Sequence, residues 1–175
     1  MQKNLYLNQK FTKFINNENF EFDRSKILKI LNSDLLADAY KTISKWQKYQ
    51  PTPLESLNKL SNELKLKNIF YKDESKRFGL KSFKALGGAY AVEKITKGKK
   101  DVIVSTATAG NHGKSVAWGA KNLGLNCKIF ISENVSETRA EEMRNLNAEV
   151  IRVKGNYEDS LNFCKEESKK NNWEI

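Results

Sequence analysis

The sequence predicts an α/β fold built on a parallel sheet, and three observations carry that prediction. Short apolar and β-branched runs recur at Val102–Val104, Cys127–Ile131 and Ala148–Val153. Segments of helical length follow each of them, at Lys114–Leu123, Glu137–Leu146 and Tyr157–Lys169. Each of those segments has a boundary signal, Gly124 behind the first, Ser136 ahead of the second and Asn156 ahead of the third. Strands that alternate with helices in this way form right-handed βαβ units, so neighbouring strands run parallel.

The composition suits a folded chain. It has 175 residues, 39% apolar and 30% charged, with only two prolines, enough for one good core or two small ones. The net charge of +10 raises nucleic acid and membranes as partners. However, the lysines are scattered, and the densest cluster, Lys97–Lys100, falls between a predicted helix and a strand. Lys169-Lys170 follows Glu166-Glu167 on a mixed face. Neither shows the aromatic interleaving of a nucleic-acid binder, so no nucleic-acid partner is expected. Cys127 and Cys164 stand alone among apolar neighbours, which predicts buried thiols in a reducing compartment. His112 is the only histidine and has no second ligand at metal spacing, so no metal site is expected. The N-terminus lacks the apolar centre of a signal peptide, and no run approaches the ~20 residues that cross a bilayer. A cytoplasmic protein with no membrane partner is expected.

In chain order, residues 1–22 are polar with scattered Phe11, Phe14, Phe20 and Phe22, an arm rather than a core element. Asp23 or Ser25 caps a short helix carrying Ile27, Leu28, Ile30 and Leu31, and Leu35–Trp46 shows a second, weaker helical pattern. Pro51-Thr-Pro53-Leu54 predicts an extended passage, followed by a helix from Glu55 to Leu64. Asn68–Lys72 reads as a strand. The last residues, Asn171–Ile175, read as a turn and the opening of a further strand.

Two stretches fit plain structure poorly. Ser82 is a predicted N-cap that puts Lys84 in the first turn of a helix, where free N–H groups and the helix dipole disfavour a cation. That field favours the neutral, nucleophilic amine and suits a lysine that attacks a carbonyl. Gly87 and Gly88 lie inside the same helix at a cost of ~2 kcal/mol relative to alanine. A strand or a flat cofactor approaching closely would account for them, and a solvated lysine on a closely packed helix is the alternative. The second stretch is Ser105–Gly113, whose small residues and hydroxyls link a strand's carboxyl end to a helix N-terminus, the edge where α/β sheets bind ligands. Gly110 also serves a tight turn, and His112 also reads as a structural histidine. Asn111 offers an amide able to donate to a ligand oxygen.

In their order along the chain, Pro51-Thr-Pro53-Leu54, Lys72-Asp73-Glu74, Ser82-Phe83-Lys84, Gly110-Asn111-His112 and the segment from Arg139 to Val150 resemble the fold type II pyridoxal-phosphate (PLP) enzymes, the tryptophan synthase β-like superfamily. Glu74–Leu80 and Thr106–Trp118 are similar to the diaminopropionate ammonia-lyases within it. The resemblance runs from about residue 45 to the end. It implies a three-layer parallel-sheet fold, present here in part: residues 1–88 as the N-terminal part of a large domain and 89–175 as a small α/β domain. It implies PLP as cofactor, Lys84 as the lysine that binds it and later takes the Cα proton, Asn111 as donor to its 3′-oxygen and Phe83 beside its ring, with Gly110 and His112 in the same loop. It further implies β-elimination from an amino acid to give pyruvate and ammonia, in a homodimer.

Two departures accompany the resemblance. The family's glycine-rich phosphate loop and its partner for the pyridine nitrogen come later than any segment of these 175 residues. An N-terminal portion of the enzyme, inactive by itself, is therefore expected, with a non-catalytic relic as the alternative. Ala109 stands where diaminopropionate ammonia-lyases carry an acid. Threonine and serine dehydratases of this fold have a small residue there, which keeps a dehydratase-like reaction open.

Overall fold

A computed structural model describes residues 17–18 and 23–175. The phenylalanine arm and the N-terminal expectation fall outside them, apart from Asn17 and Glu18. The chain divides into two compact units, Met1–Leu36 and Ala37–Ile175. In the first, α1 (Arg24–Ile30) is capped by Asp23, whose carboxylate accepts from the N–H of Ser25 and Lys26 at 2.9 and 3.3 Å. Of the two candidate caps, Asp23 is the one used. Helix α2 (Ser33–Ile43) begins behind Asn32, whose side chain accepts from Leu35 N–H at 2.8 Å.

In the second unit, β1 (Leu54–Ser56) and β2 (Phe70–Lys72) form an antiparallel pair in which Leu54 faces Lys72 and Ser56 faces Phe70. Glu55 and Ser56 therefore belong to a strand rather than to the helix expected there, and α3 spans only Asn58–Glu63. The ladder starts just after Pro53, so neither proline has to donate an N–H to it.

A buried ion pair closes the next turn. Arg77 is 6% exposed. It donates to both carboxylate oxygens of Glu74 (2.7 and 2.9 Å), to Thr52 Oγ1 (3.0 Å) and to the Gln50 carbonyl (2.7 Å). Thr52 also donates to Glu74. This network fastens the proline segment to the 3-10 turn Arg77–Gly79. Phe78 in that turn is left-handed, with φ 48°, an uncommon state for a bulky residue that its surroundings must enforce. Its ring stacks on Trp118 at 4.6 Å and packs beside Trp46 at 5.9 Å.

Helix α4 (Lys84–Thr96) follows. Ser82 Oγ accepts from Lys84 N–H at 3.2 Å, yet the cap position is Phe83, already helical at φ −63° and ψ −20°. The hydroxyl thus does the capping work from one residue further out than the sequence suggests. The remaining elements are β3 (Ile103–Ala107), α5 (Asn111–Asn122), β4 (Asn126–Ser132), α6 (Glu137–Arg144), β5 (Ala148–Val153) and α7 (Tyr157–Asn171). Helix α5 begins at Asn111, ahead of the expected Lys114, because Lys114 N–H donates to the Gly110 carbonyl at 3.1 Å and closes a turn there. Asn156 and Asp159 form a reciprocal capping box on α7.

Strands β3, β4 and β5 pair in that order and in parallel. Behind α7 the chain returns to β3 on its open side. Ser105 N–H donates to the Glu174 carbonyl at 2.7 Å, and Glu174 N–H to the Ile103 carbonyl at 2.9 Å, a parallel bridge that opens the further strand expected at the C-terminal end. The fold has three layers. One face of the sheet packs Val104, Cys127, Ile129, Ile131 and Ala148 against Val92 of α4, Val116, Ala117 and Ala120 of α5, and Ala140 and Met143 of α6. The other face packs Ala107 and Phe130 against Cys164 of α7 and Trp173. Burial pushes the Cys127 thiol up to about 12 and raises that of Cys164 as well. Both are free and buried. Among the described residues no helix is long and apolar enough to cross a membrane.

The Arg77 network has a pH signature. Hydrogen bonds from Arg77 hold the Glu74 carboxyl down at about 2. A depressed carboxylate contributes stability above its unfolded value and loses it as pH falls through the folded value. Thermal unfolding should therefore show Tm dropping between pH 4.5 and 2, and the drop should be shallower in Glu74→Gln. Arg77→Met, which leaves the half-buried Glu74 carboxylate with the Thr52 hydroxyl as its remaining donor, should cost about 1 to 3 kcal/mol at neutral pH.

Candidate functional site

The site begins with the way α4 meets α5. Gly88 lies against Ser115, where an added Cβ would fall 2.3 Å from Ser115 Oγ. One turn on, a Cβ on Gly119 would fall 2.7 Å from Ala89 Cα. Contacts advance along both helices together, from Lys84 and Gly88 with Ser115 to Ala89 with Gly119. The two helices therefore run in the same direction, and their N-termini lie side by side. Small residues at i, i+4 on each, Ala85 and Ala89 on one and Ser115 and Gly119 on the other, allow the approach. What presses on Gly88 is thus a helix, neither a strand nor a flat ligand. Gly87 has nothing within 4 Å of a Cβ position.

The parallel arrangement brings the candidate residues to one edge. Lys84 is the first residue of α4 and exposed, its Nζ 5.6 Å from the centre of the Phe83 ring. Phe83 is 61% exposed. Asn111 is the first residue of α5, with Gly110 in the cap position and no side chain capping that end. The Asn111 amide makes no hydrogen bond within the described residues. His112 follows. Partial burial lowers its pKa, and the positive charge of Lys84 lowers it further. That coupling places the lysine and the loop in one electrostatic neighbourhood, although no hydrogen bond joins them.

Sheet topology explains why the loop is open. The chain winds from β3 to β5 with α5 and α6 on one face. It then crosses the other face through α7 to Glu174 on the far side of β3. The winding direction reverses at β3, and the crevice for ligands in such sheets lies at the carboxyl end of the strands at the reversal. That end leads into Thr108–Gly113. Gly113 is packed tightly there, since a Cβ on it would fall 2.7 Å from Met143 Sδ. Gly110 has nothing within 4 Å of its own Cβ position. Ala109 packs against the core. The donor set at this edge is one primary amine, one free amide and the uncapped N–H groups of α5, which suits an aldehyde-bearing, anionic ligand.

Comparisons with known proteins identify the family. The profile of pyridoxal-phosphate dependent enzymes matches residues 45–175. The chain belongs to the pyridoxal-phosphate dependent enzyme family. Diaminopropionate ammonia-lyase from Escherichia coli K12 is 37% identical over 145 residues, covering 73% of this chain and 36% of that protein. A biosynthetic L-threonine dehydratase from Haemophilus influenzae is 36% identical over 124 residues, covering 70% of this chain and 24% of that protein. The crystal structure of the Escherichia coli diaminopropionate ammonia lyase in complex with an aminoacrylate-PLP azomethine reaction intermediate has a TM-score of 0.77 at 36% identity. It covers 82% of this chain and 40% of that one. The chain thus spans well under half the length of each of these relatives. Fold type II and its cofactor, pyridoxal 5′-phosphate, are what this membership means for the fold and the chemistry of the family.

Sequence reasoning missed the residue between the helices. Ser115 was passed over, and its signal was the small-residue spacing with Gly119 facing Ala85 and Ala89. A cavity of about 410 Å³ lies elsewhere. It lies toward the opposite ends of α4 and α5, among Trp46, Phe78, Glu93 and Trp118, with Trp46 Nε1 donating to Glu93 at 2.7 Å.

Three outcomes follow. Gly119→Ala should destabilise the chain by about 1 to 3 kcal/mol in urea unfolding, because the methyl meets backbone. Gly87→Ala, with open space before it, should stabilise it by up to ~1 kcal/mol. Lys84→Met should raise the pKa of His112 without restoring it fully, since burial remains, and the single histidine makes the NMR titration unambiguous. An unmoved titration would separate the lysine from the loop.

Proposed function

We propose that this chain carries the lysine side of a PLP-dependent β-elimination site of the ammonia-lyase kind, acting on an amino acid. The observation that supports the reading most is the pairing of Lys84 with Asn111 and His112 at the adjoining N-termini of α4 and α5. When bound, PLP supplies an electron sink for charge developing at the substrate Cα. Lys84 carries the amine that would hold the cofactor and would take the Cα proton. Asn111 would donate its amide to the cofactor's 3′-oxygen, and Phe83 would pack near the ring. Gly110 keeps the loop backbone open, and the first N–H groups of α5 receive an anionic group of the ligand. The proposal divides the chain at residue 88, the end of a large-domain portion, and takes 89–175 as the small domain. It assigns the protein to the cytoplasm, which the two free thiols suit, as part of a homodimer.

A dehydratase-like reaction on L-serine or L-threonine is the second reading, favoured by Ala109 and by the threonine dehydratase relatives. Alanine cannot accept a proton, so only the Lys84 face of the substrate has a base. In a form that also holds the cofactor phosphate, pyruvate release should be seen from L-isomers, with the D-isomer of 2,3-diaminopropionate slower by roughly a hundredfold or more. Ala109→Asp should narrow that gap. Equal D and L rates with alanine in place would remove Ala109 from the argument.

The cofactor assignment is tested on the 175-residue chain itself. Incubation with PLP, reduction with borohydride and peptide mapping should place the pyridoxyl group on Lys84 ahead of the exposed lysines. In Lys84→Ala the preferred site should be lost. Uniform labelling of surface lysines would overturn the assignment.

A further inference from the structure

Among the described residues, the hydroxyl of Ser115 differs from the other buried helix hydroxyls in making no bond to a carbonyl of its own helix. Ser61, Thr96, Ser160 and Ser168 each donate to a carbonyl of their own helix, three or four residues back, the ordinary outlet for such groups. Ser115 leaves its helix. Its Oγ donates to the Lys84 carbonyl at 2.6 Å and accepts from Ala89 N–H at 3.1 Å. It therefore spans two backbone groups of α4 that lie five residues apart. The side chain is fully buried, 0% exposed, and the missing Cβ of Gly88 makes the space for it. Ser115 stands one turn beyond Asn111 on the same face of α5. A single hydroxyl thus ties the peptide of the candidate cofactor lysine to the helix that starts with the candidate cofactor amide.

We propose that Ser115 is a positioning residue for Lys84, fixing the amine-bearing first turn of α4 relative to Asn111 and His112. The proposal rests on the reading of Lys84 as the cofactor-binding lysine. Ser115 is fully buried and acts through the Lys84 carbonyl. A van der Waals spacer at this point would keep the helices together equally well. A hydroxyl adds direction, since it must satisfy a donor and an acceptor at once, and so sets the rotation of α4 about its own axis as well as its distance from α5.

The test uses the whole chain and two readouts. Hydrogen exchange at the Ala89 amide reports the bridge without any cofactor. The rate at which PLP followed by borohydride labels Lys84, measured over a pH range spanning lysine titration and normalised to exposed Lys169, reports the amine's placement. In Ser115→Ala, Ala89 exchange should accelerate and normalised Lys84 labelling should fall about tenfold, with Lys169 unchanged. Ser115→Cys, which keeps a weak donor and acceptor, should fall between Ser115→Ala and the native chain, and it serves as the second variant should alanine impair folding. Faster Ala89 exchange with unaltered Lys84 labelling would leave a structural bridge only and overturn the positioning role. Unchanged exchange would overturn the bridge itself. Absence of preferential Lys84 labelling in the native chain, whatever Ala89 does, would overturn the cofactor reading and the positioning role with it.

Discussion

The close approach of α4 to α5 is the constraint on which the rest of the structure depends. Lys84 and Asn111 are separated by a helix, a loop and a strand in sequence, and no hydrogen bond links them. What places them together is a contact farther along the two helices, where Gly88 and Ala89 meet Ser115 and Gly119. Side chains of ordinary size at those positions would push the axes apart. The cost of two glycines in α4 is then offset at Gly88 by the packing it permits. Gly87 lacks that justification, since it faces open space, and the structure contains no physical account of it.

A parallel pair of helices has an electrostatic result as well as a geometric one. Both positive dipole ends point to the same edge, and neither is neutralised by an acidic first turn, since α4 and α5 each lack one. At the same edge, burial first and the Lys84 charge second lower the proton affinity of His112. Such an edge favours anionic ligands and disfavours protons. Both tendencies suit the amine-based reading proposed for this edge.

Much of this was legible in the sequence where local rules govern. Strand β5 and helix α7 are set by β-branched residues and by the Asn156 cap, and both start where the pattern places them. Strand β3 runs further than the Val102–Val104 run suggests. Ser105 and Ala107 have little strand preference of their own; β4 pairs with Thr106 and Ala107, and Ser105 is held by the Glu174 backbone and by Ser168, whose hydroxyl meets its own at 2.6 Å. Glu174 and Ser168 lie more than sixty residues from Ser105, beyond any local reading. Helix α5 began early for a similar reason, since Gly110 caps it with backbone alone. The Thr52, Glu74 and Arg77 network was visible only as three parts of a resemblance. Its physical content, a buried guanidinium with every partner supplied by the chain, emerges when the proline segment folds back onto the turn.

That network also explains how strain is held next to the site without being part of it. Phe78 sits in a left-handed conformation that costs of order 1 to 3 kcal/mol, with Arg77 before it and Gly79, also at positive φ, behind it. The guanidinium lies 5.8 Å from the rings of both Tyr49 and Phe78, so the ion pair anchors the backbone on one side while its flat face supports the aromatic rings on the other. Stacking on Trp118 then fixes the turn to α5 itself. The turn that leads into Lys84 is consequently tied to the same helix that α4 packs on. Entry to α4 and the body of α4 are both referenced to α5, and the first turn of α4 lies between those two attachments.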